Sequence, residues 1–162
     1  MIKRVVSGAV LVLFLAAVIL FNRSFPLALN LVVALVSAAS VFELTKALGL
    51  DRKWFLFLPS LAMAAAASFC GENLFAVYCL YTLVLFSAML RYHRETTFKE
   101  VAVLYSMVVM IPSALNCLVL LRGLSQDHGM FYVLVAVLAA WVGDVGAFFA
   151  GTFLGKHKLC PA

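Results

Sequence analysis

The sequence predicts an all-α, polytopic membrane protein with about six transmembrane helices, and three observations carry that prediction. Hydrophobic residues make up 66% of the 162 positions and charged residues only 12%, with a mean hydropathy of +1.12. A soluble domain runs nearer to about 45–50% apolar and about 25% charged. This excess of apolar surface is more than a chain of this size can hide in one core, so lipid must solvate much of it. The apolar residues also fall into long runs separated by short polar breaks, and no set of runs alternates apolar and polar positions as the strands of a membrane barrel would. A soluble enzyme, a disulfide-stabilised secreted scaffold and a nucleic-acid binder are all excluded by the same arithmetic.

A bilayer core of about 30 Å requires roughly 17–25 apolar residues in helical form. The runs that meet or approach this are Val5–Phe21, Leu27–Phe42 (reaching Leu44 when Glu43 is drawn in), Trp54–Cys70, Leu74–Leu90, Val101–Leu121 and Met130–Leu154. Between them lie Asn22-Arg23-Ser24-Phe25-Pro26, Gly49-Leu50-Asp51, Gly71-Glu72-Asn73 and the stretch from Gly123 to Gly129, all of hairpin length. No long linker, low-complexity tract or internal repeat interrupts them, so residues 1–162 read as one integral membrane region. Met1-Ile2-Lys3-Arg4 before the first run resembles the start of a secretory signal. No small-x-small cleavage pattern follows Phe21, however, and an uncleaved first span is the expectation.

Cation placement sets the expected orientation. With the amino terminus in the cytoplasm, Lys3, Arg4, Lys46, Arg52, Lys53, Arg91, Arg94, Lys99, Lys156 and Lys158 fall inside, and only Arg23 and Arg122 outside. Six spans with both ends cytoplasmic account for all 12 cations, so the net charge of +5 needs no nucleic-acid partner. The cysteines Cys70, Cys79, Cys117 and Cys160 form no C-x-x-C pair and read as small buried hydrophobes.

An ionisable group deep in a span costs about 2.5–3.5 kcal/mol on insertion scales and so demands a reason. Asp144 is the unmistakably internal one, in Val142-Gly143-Asp144-Val145-Gly146-Ala147-Phe148-Phe149. It lies fourteen residues after Met130, roughly 21 Å along a helix at about 1.5 Å per residue, past the midplane and towards the cytoplasmic side. Gly143, Ala147, Gly151 and Gly155 recur every four residues beside it, a stripe that lets another backbone approach closely. Two readings stand for Asp144: a packing carboxylate hydrogen-bonded to a neighbouring helix, or a ligand for an ion or substrate. Lys156-His157-Lys158, at the cytoplasmic edge of the same span, suits phosphate oxygens or a positive anchor among lipid headgroups. Elsewhere, Pro59 and Pro112 are expected to kink their spans. Asn30 and Asn116 are expected to hydrogen-bond between helices, and Glu43 to pair with Lys46 along one helix. Arg91-Tyr92-His93-Arg94-Glu95 reads as a solvated or interfacial stretch.

From Leu118 to Ala162 the chain resembles the bacterial phosphatidate cytidylyltransferases, also called CDP-diacylglycerol synthases. The resemblance is carried by Val119-Leu120-Leu121-Arg122, by Gly143-Asp144-Val145-Gly146-Ala147-Phe148-Phe149-Ala150-Gly151 and by Phe153-Leu154-Gly155-Lys156-His157-Lys158-Leu159-Cys160-Pro161. Lys3-Arg4, before the first span, and Phe42-Glu43-Leu44, closing the next one, are similar to that family as well. Family members read Asp-(Ser/Thr)-Gly-Ala-(Tyr/Phe) and then Phe-Gly-Lys-His-Lys-Leu. Here Val145 stands where a hydroxyl is usual, and Leu154 where phenylalanine is common.

The resemblance implies a nucleotidyltransferase of phospholipid biosynthesis in the bacterial inner (plasma) membrane. Its substrates are CTP and phosphatidate, its products CDP-diacylglycerol and pyrophosphate, its metal Mg2+, and a homodimer is plausible for it. It also implies Asp144 as a catalytic or metal-binding carboxylate, with Lys156, His157 and Lys158 on substrate phosphates. In the family the carboxylates that hold most of the metal lie beyond the point corresponding to Ala162, so this stretch taken alone is expected to be inactive. The residues by themselves also admit a small transporter coupled through Asp144, or a noncatalytic membrane scaffold.

Overall fold

The computed structural model describes residues 25–155. The predicted span Val5–Phe21 and the residues Lys156, His157, Lys158 and Cys160 lie outside the described residues. Within them the chain forms five α-helices and no strand: α1 (Ala28–Ala47), α2 (Trp54–Ala66), α3 (Leu74–Arg91), α4 (Phe98–Gly123) and α5 (Gly129–Leu154). Two short 3₁₀ turns, Ala67–Phe69 and Gly71–Asn73, join α2 to α3. The protein is thus an all-helical membrane protein, and four of the helices are long and apolar enough to cross a bilayer. Each of the five predicted spans from residue 27 onward coincides with a helix.

α2 is the exception in length. Its 13 residues rise only about 20 Å, short of the hydrocarbon core of about 30 Å. The predicted segment ran to Cys70, but its last turn tightens into the 3₁₀ form. The cause is a reciprocal exchange with α1. Asn30 donates its side-chain amide to the carbonyl of Ser68, and the Ser68 hydroxyl donates to the carbonyl of Asn30 at 3.0 Å. Asn30 therefore bridges two elements as expected. Asn116 is buried in α4 but makes no side-chain hydrogen bond to any described residue.

The chain divides into two compact units, one through Leu120 and one from Leu121 onward. In the first, α1 packs on α2 and α2 on α3. Its core is a continuous cluster containing Val41, Leu50, Leu56, Met63, Leu85, Val101, Leu104 and Val108. The second unit contains α5, of which nearly every residue after Trp141 is exposed. Exposed phenylalanines, leucines and valines are spread along all five helices, as expected where lipid is the solvent. Cys79 and Cys117 lie on such outward faces rather than buried, a correction to the sequence reading; Cys70 is half-buried.

The turn after α1 shows why Gly49 is needed. Gly49 N–H donates to the Lys46 carbonyl at 3.0 Å and Leu50 N–H to the Thr45 carbonyl at 2.8 Å. This paired closure of a helix end requires a left-handed residue just past the cap, and Gly49 has φ +68°. Leu50 then turns inward and is buried, fixing the path into α2. Gly49→Ala is expected to cost about 1–2 kcal/mol, because a Cβ disfavours the left-handed region by that amount. Thermal unfolding in detergent checks this, and an unchanged midpoint would contradict the role assigned to the turn.

Candidate functional site

Asp144 sits in the second half of α5 and is exposed. It forms no hydrogen bond or ion pair with any described residue, and no group of three metal-ligating side chains occurs among the described residues. A Cβ built on Gly143, Gly146 or Gly151 would meet nothing within 4 Å, so the small-residue face beside Asp144 lies open. Phe148, Phe149 and Phe153 are exposed on the same turns, with the rings of Phe149 and Phe153 stacked at 6.0 Å. The carboxylate thus has no partner among the described residues and lies among apolar ones, where a charge facing lipid is costly. One carboxylate with free oxygens can accept hydrogen bonds or ligate a hard cation such as Mg2+.

A further polar cluster forms where α2 and α4 begin and α1 and α3 end. Lys53 Nζ lies 2.9 Å from Glu100 Oε2, an ion pair between the starts of two helices. The same oxygen accepts the Thr97 backbone N–H at 2.9 Å, while Glu100 N–H faces the Thr97 hydroxyl at 3.4 Å. This is the reciprocal capping arrangement of a Thr-x-x-Glu sequence, and it starts α4. Beside it, the Phe55 and Tyr92 rings stack at 3.9 Å, with Trp54 edge-on to both.

These contacts bring the loop after α1 and the loop after α3 to one end of the unit. Lys46, Arg52, Lys53, Arg91, Arg94 and Lys99 all belong to that end. Lys46 and Arg91 occupy the last turns of α1 and α3, and Glu100 the first turn of α4, each matching the sign of the helix dipole. The sequence reading is corrected once here. Glu43 and Lys46 do not pair; both stay exposed, and an exposed pair gains little from contact. Of the stretch read as solvated or interfacial, His93, Arg94 and Glu95 are exposed, whereas Tyr92 packs flat on Phe55.

Reading residues one by one also missed the polar contacts of α3. Tyr81 bonds Ser60 of α2 at 2.9 Å, Tyr78 bonds Ser113 of α4 at 2.6 Å, and Thr82 bonds Tyr105 of α4 at 3.0 Å. The available signal was the repeated Pro-Ser pair at Pro59-Ser60 and Pro112-Ser113, and the spacing of Tyr78 and Tyr81 on one helix.

Comparison with known proteins supplies what the described geometry does not. The sequence model of the cytidylyltransferase family matches residues 2–162. A phosphatidate cytidylyltransferase of Bacillus subtilis is 28% identical over 114 residues, covering 70% of this chain and 41% of that protein. Phosphatidate cytidylyltransferases of Staphylococcus saprophyticus and Staphylococcus aureus are each 43% identical over 37 residues, 23% of this chain and 14% of theirs. The chain thus spans less than half the length of the relatives it matches. No solved structure matches.

The capped rim can be tested without any substrate. Glu100→Gln removes the ion pair but keeps the capping geometry, and is expected to cost no more than about 1 kcal/mol, since the pair is partly exposed. Glu100→Ala loses the cap as well, which adds about 1 kcal/mol. Equal unfolding midpoints for the two variants would mean that the cap contributes nothing.

Proposed function

The chain belongs to the cytidylyltransferase family, and from that premise we propose that it works in the transfer of a cytidylyl group from CTP to phosphatidate. The products are CDP-diacylglycerol and pyrophosphate. The match to the family along residues 2–162 carries this reading, and the relatives' names specify the lipid acceptor. In the reaction a phosphate oxygen of phosphatidate bonds to the α-phosphorus of CTP while the bond from that phosphorus to the bridging oxygen breaks. Both reactants are anionic, so the protein must bring together groups that repel each other.

Asp144 is the carboxylate we assign to this site. An exposed charge on an apolar helix, with no partner among the described residues, is costly in lipid unless it meets an ion, a substrate or another segment. Mg2+ is characteristically held by one or two carboxylates together with substrate phosphates, a donor set to which Asp144 contributes one member. Bound Mg2+ supplies Lewis-acid stabilisation of the charge on the transferring and leaving phosphates. Lys156, His157 and Lys158 follow Asp144 by twelve to fourteen residues along the sequence; in this reading they meet phosphate oxygens through charge-assisted hydrogen bonds. The open face of Gly143, Ala147 and Gly151 gives substrate or another helix close access to the backbone beside Asp144.

The reading extends to location and assembly. The cations gathered where α2 and α4 begin favour a cytoplasmic placement of that end, with the amino terminus inside, in the inner membrane of a bacterium. A homodimer is one way to cover α5.

In the complete enzyme, Asp144→Asn is expected to lower CTP-dependent formation of CDP-diacylglycerol by roughly a hundredfold or more, with membrane abundance unchanged. Activity within a few-fold of the parent removes Asp144 from the mechanism. Lys156→Ala and Lys158→Ala should raise the KM for CTP or phosphatidate roughly tenfold, the weight of one charge-assisted bond. Orientation is read separately by Arg94→Cys in a chain whose native cysteines are replaced by alanine. An impermeant maleimide should label it in inverted vesicles, and labelling in intact cells instead would reverse the topology.

A further inference from the structure

Between α2 and α3 the first unit leaves a cavity of about 250 Å³, lined by Pro59, Met63 and Ala66 of α2 and by Val77, Tyr81 and Val84 of α3. Ala62 and Ala66, one turn apart on the α2 wall, are small and leave the space unfilled. Leu80 and Val84 at its edge are exposed, so the cavity opens outward as a groove. The polar side-chain atom among its lining residues is the Tyr81 hydroxyl, and that group is bonded to Ser60. An occupant therefore needs no hydrogen bond and gains by filling the gap, because lining atoms with nothing against them forfeit contacts.

The groove points at a charged end. Val77, Val84 and Arg91 are spaced seven residues apart, two helical turns, and so share one face of α3. Measured along the axis at about 1.5 Å per residue, Val84 lies about 10 Å and Val77 about 21 Å from Arg91. One leaflet of hydrocarbon is about 15 Å deep, half of a core of about 30 Å. The groove thus occupies the depth of the acyl chains of one leaflet, and Arg91, in the last turn of α3, stands at the level of their headgroups. Between the two, Phe55 stacks on Tyr92 with Trp54 edge-on, closing the helix pair with rings suited to the interface. The cations of this end, Lys46, Arg52, Lys53, Arg91, Arg94 and Lys99, outnumber its acids Glu43, Asp51, Glu95 and Glu100.

We propose that the groove holds one acyl chain of an anionic phospholipid whose phosphate meets Arg91. The apolar walls accept any acyl chain; the exposed arginine above them sets the class, because it favours a net negative headgroup over a zwitterionic one. The occupant is a resident lipid of the surrounding membrane rather than the cytidylyl acceptor. The groove lies wholly within the first unit and contains none of the residues assigned to the reaction, so it stands whether or not that assignment does.

Native mass spectrometry of the purified protein tests this, with titration in detergent by phosphatidylglycerol or phosphatidylcholine of identical acyl chains. Phosphatidylglycerol should bind about fivefold more tightly, the weight of one arginine near a headgroup. Arg91→Gln should bring the two lipids within about twofold of each other, and a preference that survives it overturns the placement of the phosphate. Ala62→Leu combined with Ala66→Leu fills the groove and should weaken both lipids about tenfold, the worth of roughly two buried methylenes. Unchanged binding refutes the site, and a change of oligomeric state with lipid binding intact would assign the groove to a second copy of the chain. Phosphatidate binding more than about tenfold tighter than phosphatidylglycerol exceeds the effect of one extra charge; it would make the occupant the acceptor and overturn the resident reading. Arg91→Gln alters an exposed position and decides the matter by itself should the filled variant fold poorly.

Discussion

Backbone hydrogen bonding without water is the constraint from which most of the first unit follows. A helix closes its own polar groups and can therefore lie in lipid, but a proline inside it reopens one of them. Here two of the helices accept that cost, and tyrosines of the third, α3, bond polar groups beside each proline, Ser60 on α2 and Ser113 with the Val109 carbonyl on α4. The choice of tyrosine is chemical. Its ring is long enough to reach across a helix pair and apolar enough to be buried, and its hydroxyl finds a partner on the neighbouring helix. The serine after each proline is the side chain the tyrosine meets. The polar content of this core is small, but it decides which face of α3 meets α2 and which meets α4.

The ends of the helices obey a different rule, because water and headgroups are available there. Charge is arranged by helix polarity: lysine and arginine in the last turns of α1 and α3, glutamate in the first turn of α4. Glu100 does three things with one carboxylate, capping α4, pairing Lys53 and drawing the loop before α2 onto the start of α4. The stacked Phe55 and Tyr92 close the same end with apolar surface. The division is physical: hydroxyl chains lie inside, where a charge would be strongly destabilising, and charges lie at the rim, where water solvates them.

α5 stands apart from both patterns. It has neither a hydroxyl network nor a charged partner for Asp144 among the described residues, and its glycine face is open. A helix built this way satisfies its backbone but not its surface. Such a surface suits a catalytic element whose partners are other segments, ions and substrate, which agrees with the cytidylyl-transfer reading.

Several features were legible in the residues themselves. Apolar runs of sufficient length determined the helices, since burying a backbone in lipid leaves no other favourable form for such runs. Gly49, at the point where α1 must end, and the Thr97-x-x-Glu100 pattern are local signals, because the atoms that meet are a few residues apart. Asp144 stood out because one charge in a long apolar run needs no structure to be noticed. What the tertiary structure alone decided is which distant groups meet: Lys53 with Glu100 instead of Glu43 with Lys46, Tyr92 on Phe55, Asn30 with Ser68, and each tyrosine of α3 with its own Pro-Ser pair. Those pairings depend on how helices rotate and stagger against one another. With an apolar surface on every side, such a rotation leaves almost no trace in the hydrophobic pattern of the sequence.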